Sequence, residues 1–486
     1  MEKETLRPAE VFHYFDEICQ VPRPSKHEEK IVAYLKEFGA KHQLETKVDA
    51  VGNVLIKKPA TKGCEKMQGV ILQSHIDMVC EKNADVEHDF NVDPIETYVD
   101  GDWLRAKGTT LGADNGIGVA TELAILASTT IEHGPLECLF TIDEETGLTG
   151  AFALKEGFMD GSILINLDSE DEGELFIGCA GGIDTVAKFH YKEEAVPEDY
   201  FFFRIDVKGL VGGHSGDDID KGRANANKLL TRFLLQSMKK YPLSLCKIEG
   251  GNLRNAIPRE GYAIAAIPAT FKEAIRVDFN LFAAAMEKEY AQQEEFMQFV
   301  LQSHPTPSPA IEKAVAKKLL LSLHAVVNGV FAMSQEIKDF VQTSNNLASI
   351  KMNEPGVITV QTSQRSSVNS SKEDVNASVA AAFELADAEV KSGEGYPGWN
   401  PNPDSAILRV AVASYKAVFG VEPEVKAIHA GLECGLFLEK YPSLDMVSFG
   451  PTLRGVHSPD ERMLIPTVAK FWDHLLHVLK NIPAAK

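Results

Sequence analysis

Short apolar runs recur along this chain, and several stop abruptly at one acidic or imidazole residue. Val70 to Leu72 leads to His75 with Asp77 two positions on, LECLFTI (136–142) runs into DEETG, and SILINL (162–167) is closed by Asp168. Strand side chains alternate faces with period two, so His75 and Asp77 are directed alike. Helical patterns lie between the strands. After the Pro22-Arg23-Pro24 break, HEEKIVAYLKEFGA has Ser25 and Glu28 spaced as a capping box and Gly39 as its stop. IGVATELAILAST is a second helix, rich in Ala and Leu, while VDGDWLRAKGTTLGADNG is too rich in Gly and Asp to be regular. Strand, acidic residue, helix, repeated, predicts an α/β fold: a mainly parallel sheet flanked by helices, with ligands collected beyond the strands' carboxyl ends.

From about residue 183 the texture changes. YFFFRIDVKGL and YAIAAIPA read as strands, GRANANKLLTRFLLQSMKKY as a long helix, and AIRVDFNLFAAAMEKEYAQQ as a strand turning helical. LASIKMNEPGVITVQTSQRSS reads as two strands and a tight turn, followed by a helix capped by Ser370 with Glu373. This is α+β texture. The Gly-, Pro- and Asn-rich GEGYPGWNPNPD (394–405) then leads back to the first pattern. The expected organisation is a catalytic domain in two parts, 1–182 and 395–486, interrupted by an α+β lid domain, 183–394.

Composition narrows the function. With 49 Lys plus Arg against 70 Asp plus Glu, the formal charge of −21 opposes phosphate-backbone and anionic-membrane partners. No secretion signal and no membrane-spanning run is read from the sequence. Seven scattered cysteines without CxxC spacing suggest reduced thiols in a cytoplasm.

The candidates at strand ends are His75, Asp77, Asp114, Glu144, Glu145, Asp168 and His457. Imidazole and carboxylate without thiolate suit zinc or another divalent transition metal better than calcium. Five of them can build two four-coordinate sites: His75 with Asp168, Glu145 with His457, and Asp114 bridging, water completing both shells. Three carboxylates and a hydroxide balance two divalent ions. Asp77 then suits the role of orienting His75 from behind, and Glu144 that of general base.

HIDM, GADNG, DEETG, INLDSED and the late GVHSPDE, in that order, resemble the zinc aminopeptidase/carboxypeptidase group of co-catalytic metallopeptidases, which includes carboxypeptidase G2-like and PepV-like enzymes. More closely, and from end to end, the chain resembles the aminoacyl-histidine dipeptidases, also called cytosolic non-specific dipeptidases or peptidase D. The resemblance implies a phosphorylase/hydrolase-like zinc-peptidase core beneath the lid, the ligand assignment above for two Zn2+ (Co2+ or Mn2+ as alternatives), Glu144 as base and Asp77 as orienting acid. It also implies a cis bond at Asp114-Asn115.

In the lid, GGHSGDDIDKGRANA (212–226) resembles the family loop whose histidine stabilises the transition state, which makes His214 an oxyanion donor. Asn255 in NLRNAIP and Arg365 in SQRSS match the family's residues for the substrate's terminal carboxylate, and HAGLECG, with His429, matches a segment lining the substrate cleft. The implied function is hydrolysis of small dipeptides, Xaa-His and carnosine-like ones preferred, in the cytoplasm, with a homodimer suggested by relatives. An aminoacylase or N-acyl amino-acid deacylase would use the same metals. A catalytically silent binding protein is the reading outside enzymes.

Overall fold

The computed structural model describes residues 5–485. Its contacts divide the chain into two compact units, the first comprising Met1–Cys179, Trp399–Ala427 and Leu432–Lys486, the second Ala180–Gly398 and Ile428–Gly431.

The first unit is built on an eight-stranded sheet whose strands, in chain order, are β1 (Glu45–Val48), β2 (Val54–Lys58), β3 (Val70–His75), β4 (Leu136–Thr141), β5 (Ile163–Asn166), β6 (Glu174–Cys179), β7 (Glu424–Ile428) and β8 (Asp445–Ser448). In space they run β1-β2-β4-β3-β5-β8-β6-β7. The inner four, β4-β3-β5-β8, are mutually parallel. The pairs β1/β2, β2/β4 and β8/β6 are antiparallel, so antiparallel strands border the expected parallel core. Every residue of β3, β4 and β5 is buried. Helices cover a parallel core on both faces, which is why these strands read as continuous apolar runs instead of alternating. Three parallel neighbours therefore deliver their carboxyl ends, with His75, Thr141 and Asn166, to one rim.

Local expectations differ from the structure in instructive places. The helix Glu29–Lys41 runs past Gly39, where a Cβ would lie 2.0 Å from Thr46 Oγ1: the glycine serves a close approach, not a stop. Neither expected capping box forms. Ser25 Oγ donates instead to Asp77 Oδ2 (2.8 Å), Glu28 Oε1 accepts from Asp143 N (3.1 Å), and the helix Asn369–Glu384 starts from Val368 without a side-chain cap. The Gly/Asp-rich stretch holds a hairpin, Thr97–Asp100 with Trp103–Ala106, turning at Gly101 with φ +61°; Gly-Asp as the two loop residues is a hairpin signal and Leu104 and Ala106 bury one face. AIRVDF is helical from the outset in Lys272–Glu289, because Ile275, Phe279, Phe282 and Met286 recur at helical spacing and all are buried.

The second unit carries a nine-stranded antiparallel sheet. Its central ribbon pairs Val341–Glu354 with Val357–Ser366, and the latter with Gly181–His190. The helices Ala226–Lys240, Lys272–Glu289 and Lys313–Ala325 cover it, with Leu230, Phe233, Phe279 and Leu320 in its core. Residues 395–398 and 428–431, His429 among them, pack with this unit rather than with the resumed catalytic part.

Candidate metal centre and substrate site

The rim of the parallel core in the first unit gathers the donors. His75, the last residue of β3, is 1% exposed. Its Nε2 lies 3.1 Å from Asp114 Oδ1 and 3.5 Å from Asp168 Oδ1. On the other side of Asp114, Oδ2 is 3.2 Å from His457 Nε2, and that nitrogen is 2.9 Å from Glu145 Oε2. One carboxylate thus spans two imidazoles, each of which faces a further acid. Asp114 lies at a break at the start of the helix Ala113–Ala127, where the Asp114-Asn115 bond is cis. His457 and Asp143 hold left-handed backbone at φ +62° and +48°, uncommon for side-chain-bearing residues and typical of functional sites.

Behind the cluster, Asp77 is fully buried and does two things. Its Oδ1 stands 3.3 Å from His75 Nδ1 and accepts from Glu144 N at 3.0 Å, while Oδ2 accepts from Ser25 Oγ and Glu145 N. A proton held on Nδ1 leaves Nε2 with its lone pair forward, as a ligand needs. The same carboxylate fixes the turn that carries Glu144 and Glu145.

Electrostatics show which charge the cluster favours. Burial alone would lower His75, but the charge of Asp168 and hydrogen bonds to Asp114, Asp168 and Asp77 raise it well above its ordinary range. Hydrogen bonds to Asp114 and Glu145 push His457 up to about 11. Burial pushes Asp168 up to about 7 against the pull of His75, and it raises Glu144 well above the usual carboxylate range, with Asp168 and Glu145 adding repulsion. For Asp114 burial is the largest influence, yet the bonds from His457 and His75 outweigh it and hold the carboxyl low. These groups demand positive charge between them, and Glu145 Oε1 is buried with no partner. A divalent cation answers both needs, and His75, Asp114 and Glu145 offer donor atoms within 4.8 Å of one another, as, among the described residues, do Glu28, Asp77 and Asp143 behind them.

Beneath the candidate ligands lies a polar ladder that the sequence does not advertise. Gln73 on β3 donates to Glu433 Oε2 (2.6 Å), Thr141 on β4 donates to the same oxygen (2.7 Å), Asn166 on β5 donates to Gln73 Oε1 (2.6 Å), and Ser448 on β8 donates to Asn166 Oδ1 (2.5 Å). It crosses all four parallel strands inside the core. Gln73 and Asn166 each stand two positions before a candidate ligand, and that offset on an apolar strand was the available signal. Burial pushes Glu433 up to about 8.

The remaining candidates belong to the second unit. His214 lies in the short strand Gly213–His214, its Nδ1 3.2 Å from Asp217 Oδ2. Asn255 is exposed, and its backbone carbonyl accepts from Ser215 N (2.8 Å), so it shapes the His214 loop through the main chain. Arg365 is 8% exposed, with Nη1 3.4 Å from Tyr396 OH and Nε without a partner. His429 Nε2 meets Ser344 Oγ at 2.7 Å, and burial, with the Arg365 charge beside it, pushes this histidine down to about 3. Arg365 is a buried guanidinium with an unused donor, suited to an anion. His214 and Arg365 hold Asp217 below its usual range although burial opposes them.

Residues 71–481 match peptidase family M20/M25/M40. The chain is 42% identical to the cytosol non-specific dipeptidase of Escherichia coli over 99% of both chains. It superposes on the aminoacylhistidine dipeptidase of Vibrio alginolyticus with a TM-score of 0.91 and 45% identity, covering 100% of this chain and 99% of the other. A tripeptidase from Staphylococcus aureus, 16% identical with a TM-score of 0.58 over 98% and 99% of the two chains, shares the fold alone.

Proposed function

This chain belongs to peptidase family M20/M25/M40, and from that premise we propose that it is a cytoplasmic dinuclear zinc dipeptidase that hydrolyses small dipeptides, Xaa-His and carnosine-like ones preferred. The observation that carries the reading is the placement of Asp114, with one oxygen toward His75 and the other toward His457. That is the arrangement of a ligand shared by two ions. His75 with Asp168 would hold one, Glu145 with His457 the other, and Asp114 both. Cobalt or manganese would suit the same donors. When bound, the ions supply Lewis acidity and make water acidic enough to attack at neutral pH. Substrate class and compartment are supported by the full-length similarity to a cytosolic dipeptidase and to an aminoacylhistidine dipeptidase.

The chain's own groups do the rest. Glu144, its backbone fixed by Asp77, accepts the proton of the attacking water and returns it to the departing amine. His214 donates to the oxygen that becomes negative at the tetrahedral stage. Arg365 receives the substrate's terminal carboxylate through its fork, with His429 kept neutral beside it, so long peptides lose that pair and are poor substrates. Asn255 supports the His214 loop.

The test is a panel of Xaa-His dipeptides with the zinc-loaded protein. Hydrolysis far above that of Glu144→Gln is expected, and equal rates would sink the proposal. Faster turnover of N-acetylated than of free dipeptides would instead favour an aminoacylase.

A further inference from the structure

Two buried charged residues outside the expected ligand set grip the same short piece of backbone. Glu461, 2% exposed, accepts four consecutive amides: Leu111 N (2.7 Å) and Gly112 N (2.9 Å) on Oε2, Ala113 N (2.8 Å) and Asp114 N (3.3 Å) on Oε1. Arg23, 3% exposed, takes the opposite side of that segment, with Nη2 donating to Gly112 O at 2.6 Å. Its other terminal nitrogen, Nη1, donates to Ile76 O (3.2 Å) and Asp77 O (3.1 Å). Gly112 is therefore held at its amide by a carboxylate and at its carbonyl by a guanidinium.

The segments joined in this way are the ones that carry candidate ligands. Arg23 ties the chain just after His75 to the chain just before Asp114. Glu461, four residues after His457, ties the His457 loop to the amide of Asp114 itself. Three stretches far apart in sequence are thus referenced to one another by two side chains. Local sequence accommodates the grip: a Cβ at Gly112 or at Gly116 would stand 2.6 Å from Arg23 Nη2, and Gly112 adopts φ +67°. Both partners need their particular chemistry. Four amides pointing at two oxygens require a carboxylate, since an amide side chain would set its own N–H against two of them. Three carbonyls spread over two segments require the planar fork of arginine rather than a lysine point charge.

We propose that Arg23 and Glu461 are positioning residues that set the spacing of His75, Asp114 and His457 for cation binding. The proposal rests on the metal-centre reading above. Charge-assisted bonds to backbone resist the repulsion that three nearby acids exert on the Asp114 loop before a cation arrives, so removing either partner lets that loop drift.

The experiment is a chelator-competition titration with Zn2+ alone on the full chain and on Glu461→Gln, alongside a thermal melt and steady-state kinetics. The expected result is Zn2+ affinity about 10–100-fold weaker in the variant, a fall in kcat with KM nearly unchanged, and partial recovery of kcat in excess Zn2+. A purely structural role would lower the melting temperature and leave the affinity of the folded fraction alone. Folded Glu461→Gln that binds Zn2+ within twofold of the parental chain overturns the clamp. If Glu461→Gln does not accumulate folded, Arg23→Lys carries the same expectation and the same refutation. A parental chain that binds no Zn2+ overturns the metal-centre reading and the clamp together, whereas a binding parent with an equally binding variant overturns the clamp alone.

Discussion

His75 in the first unit and His429 in the second are both buried imidazoles, and their surroundings drive them in opposite directions. His75 faces Asp77, Asp114 and Asp168, whose bonds and charges overcome the effect of burial and raise it. His429 faces Ser344 and the Arg365 guanidinium, so burial and a neighbouring positive charge act together and push it down to about 3. One region is an excess of acids suited to a cation, the other a fixed cation suited to an acid. Burial says only that a charge is costly; the sign of what belongs in each site is set by the partners.

That contrast can be broken by changing each region and reading metal affinity and substrate affinity separately. The largest effect is expected at Glu144→Gln, which keeps the shape but removes the proton acceptor: kcat should fall about 10²–10⁴-fold in stopped peptide assays, with bound metal unchanged by elemental analysis. Next, Asp77→Asn removes the acid behind His75 and should weaken metal affinity about 10–100-fold, read by competition with a chromogenic chelator, with KM little altered. Arg365→Lys keeps the charge and loses the fork, so KM should rise about tenfold, equivalent to about 1.4 kcal/mol, while metal content stays at the parental level. If Arg365→Lys released metal, or Asp77→Asn changed only KM, the division of labour between the two regions would fail.

The smallest effect concerns acid stability. His429 has a folded pKa of about 3 against an ordinary 6.5, so between those values the unfolded chain binds a proton that the folded one excludes. Its contribution is fully present above about pH 6.5 and is lost as pH falls toward 3, at no more than about 1.4 kcal/mol per pH unit. Urea melts between pH 7 and 5 should show a shallower loss for His429→Gln than for the parental chain.

Much of the first region was legible because its donors punctuate apolar strands. His75 and Asp168 follow runs that can only be buried, and Glu144 and Glu145 follow a third; period-two geometry then paired His75 with Asp77 from spacing alone. The candidate donors of parallel neighbours meet because the strands are in register, with His75 opposite Thr141 and Gln73 opposite Asn166. The rest was hidden for physical reasons. Arg23 stands in a Pro-flanked break and Glu461 closes GVHSPDE, and neither position by itself announces its bonds, since a buried charge that bonds distant backbone leaves no local pattern. Ser25 has the spacing of a cap but finds a better acceptor in Asp77. Among residues 272–289 the β-branched Ile275 and Val277 suggested a strand, while the helical recurrence of Ile275, Phe279 and Phe282 decided the matter. His429 follows a strand of the first unit's sheet yet packs with the second, a choice made by contacts from Ser344 and Phe340 that no short window contains.

The most direct measurement is anomalous X-ray scattering at the zinc edge from crystals of the zinc-loaded chain. Two peaks are expected, one contacted by His75 and Asp168, the other by Glu145 and His457, with Asp114 touching both. A single peak elsewhere, or none beside Asp114 in crystals of protein that hydrolyses dipeptides, would contradict the metal centre on which the rest depends.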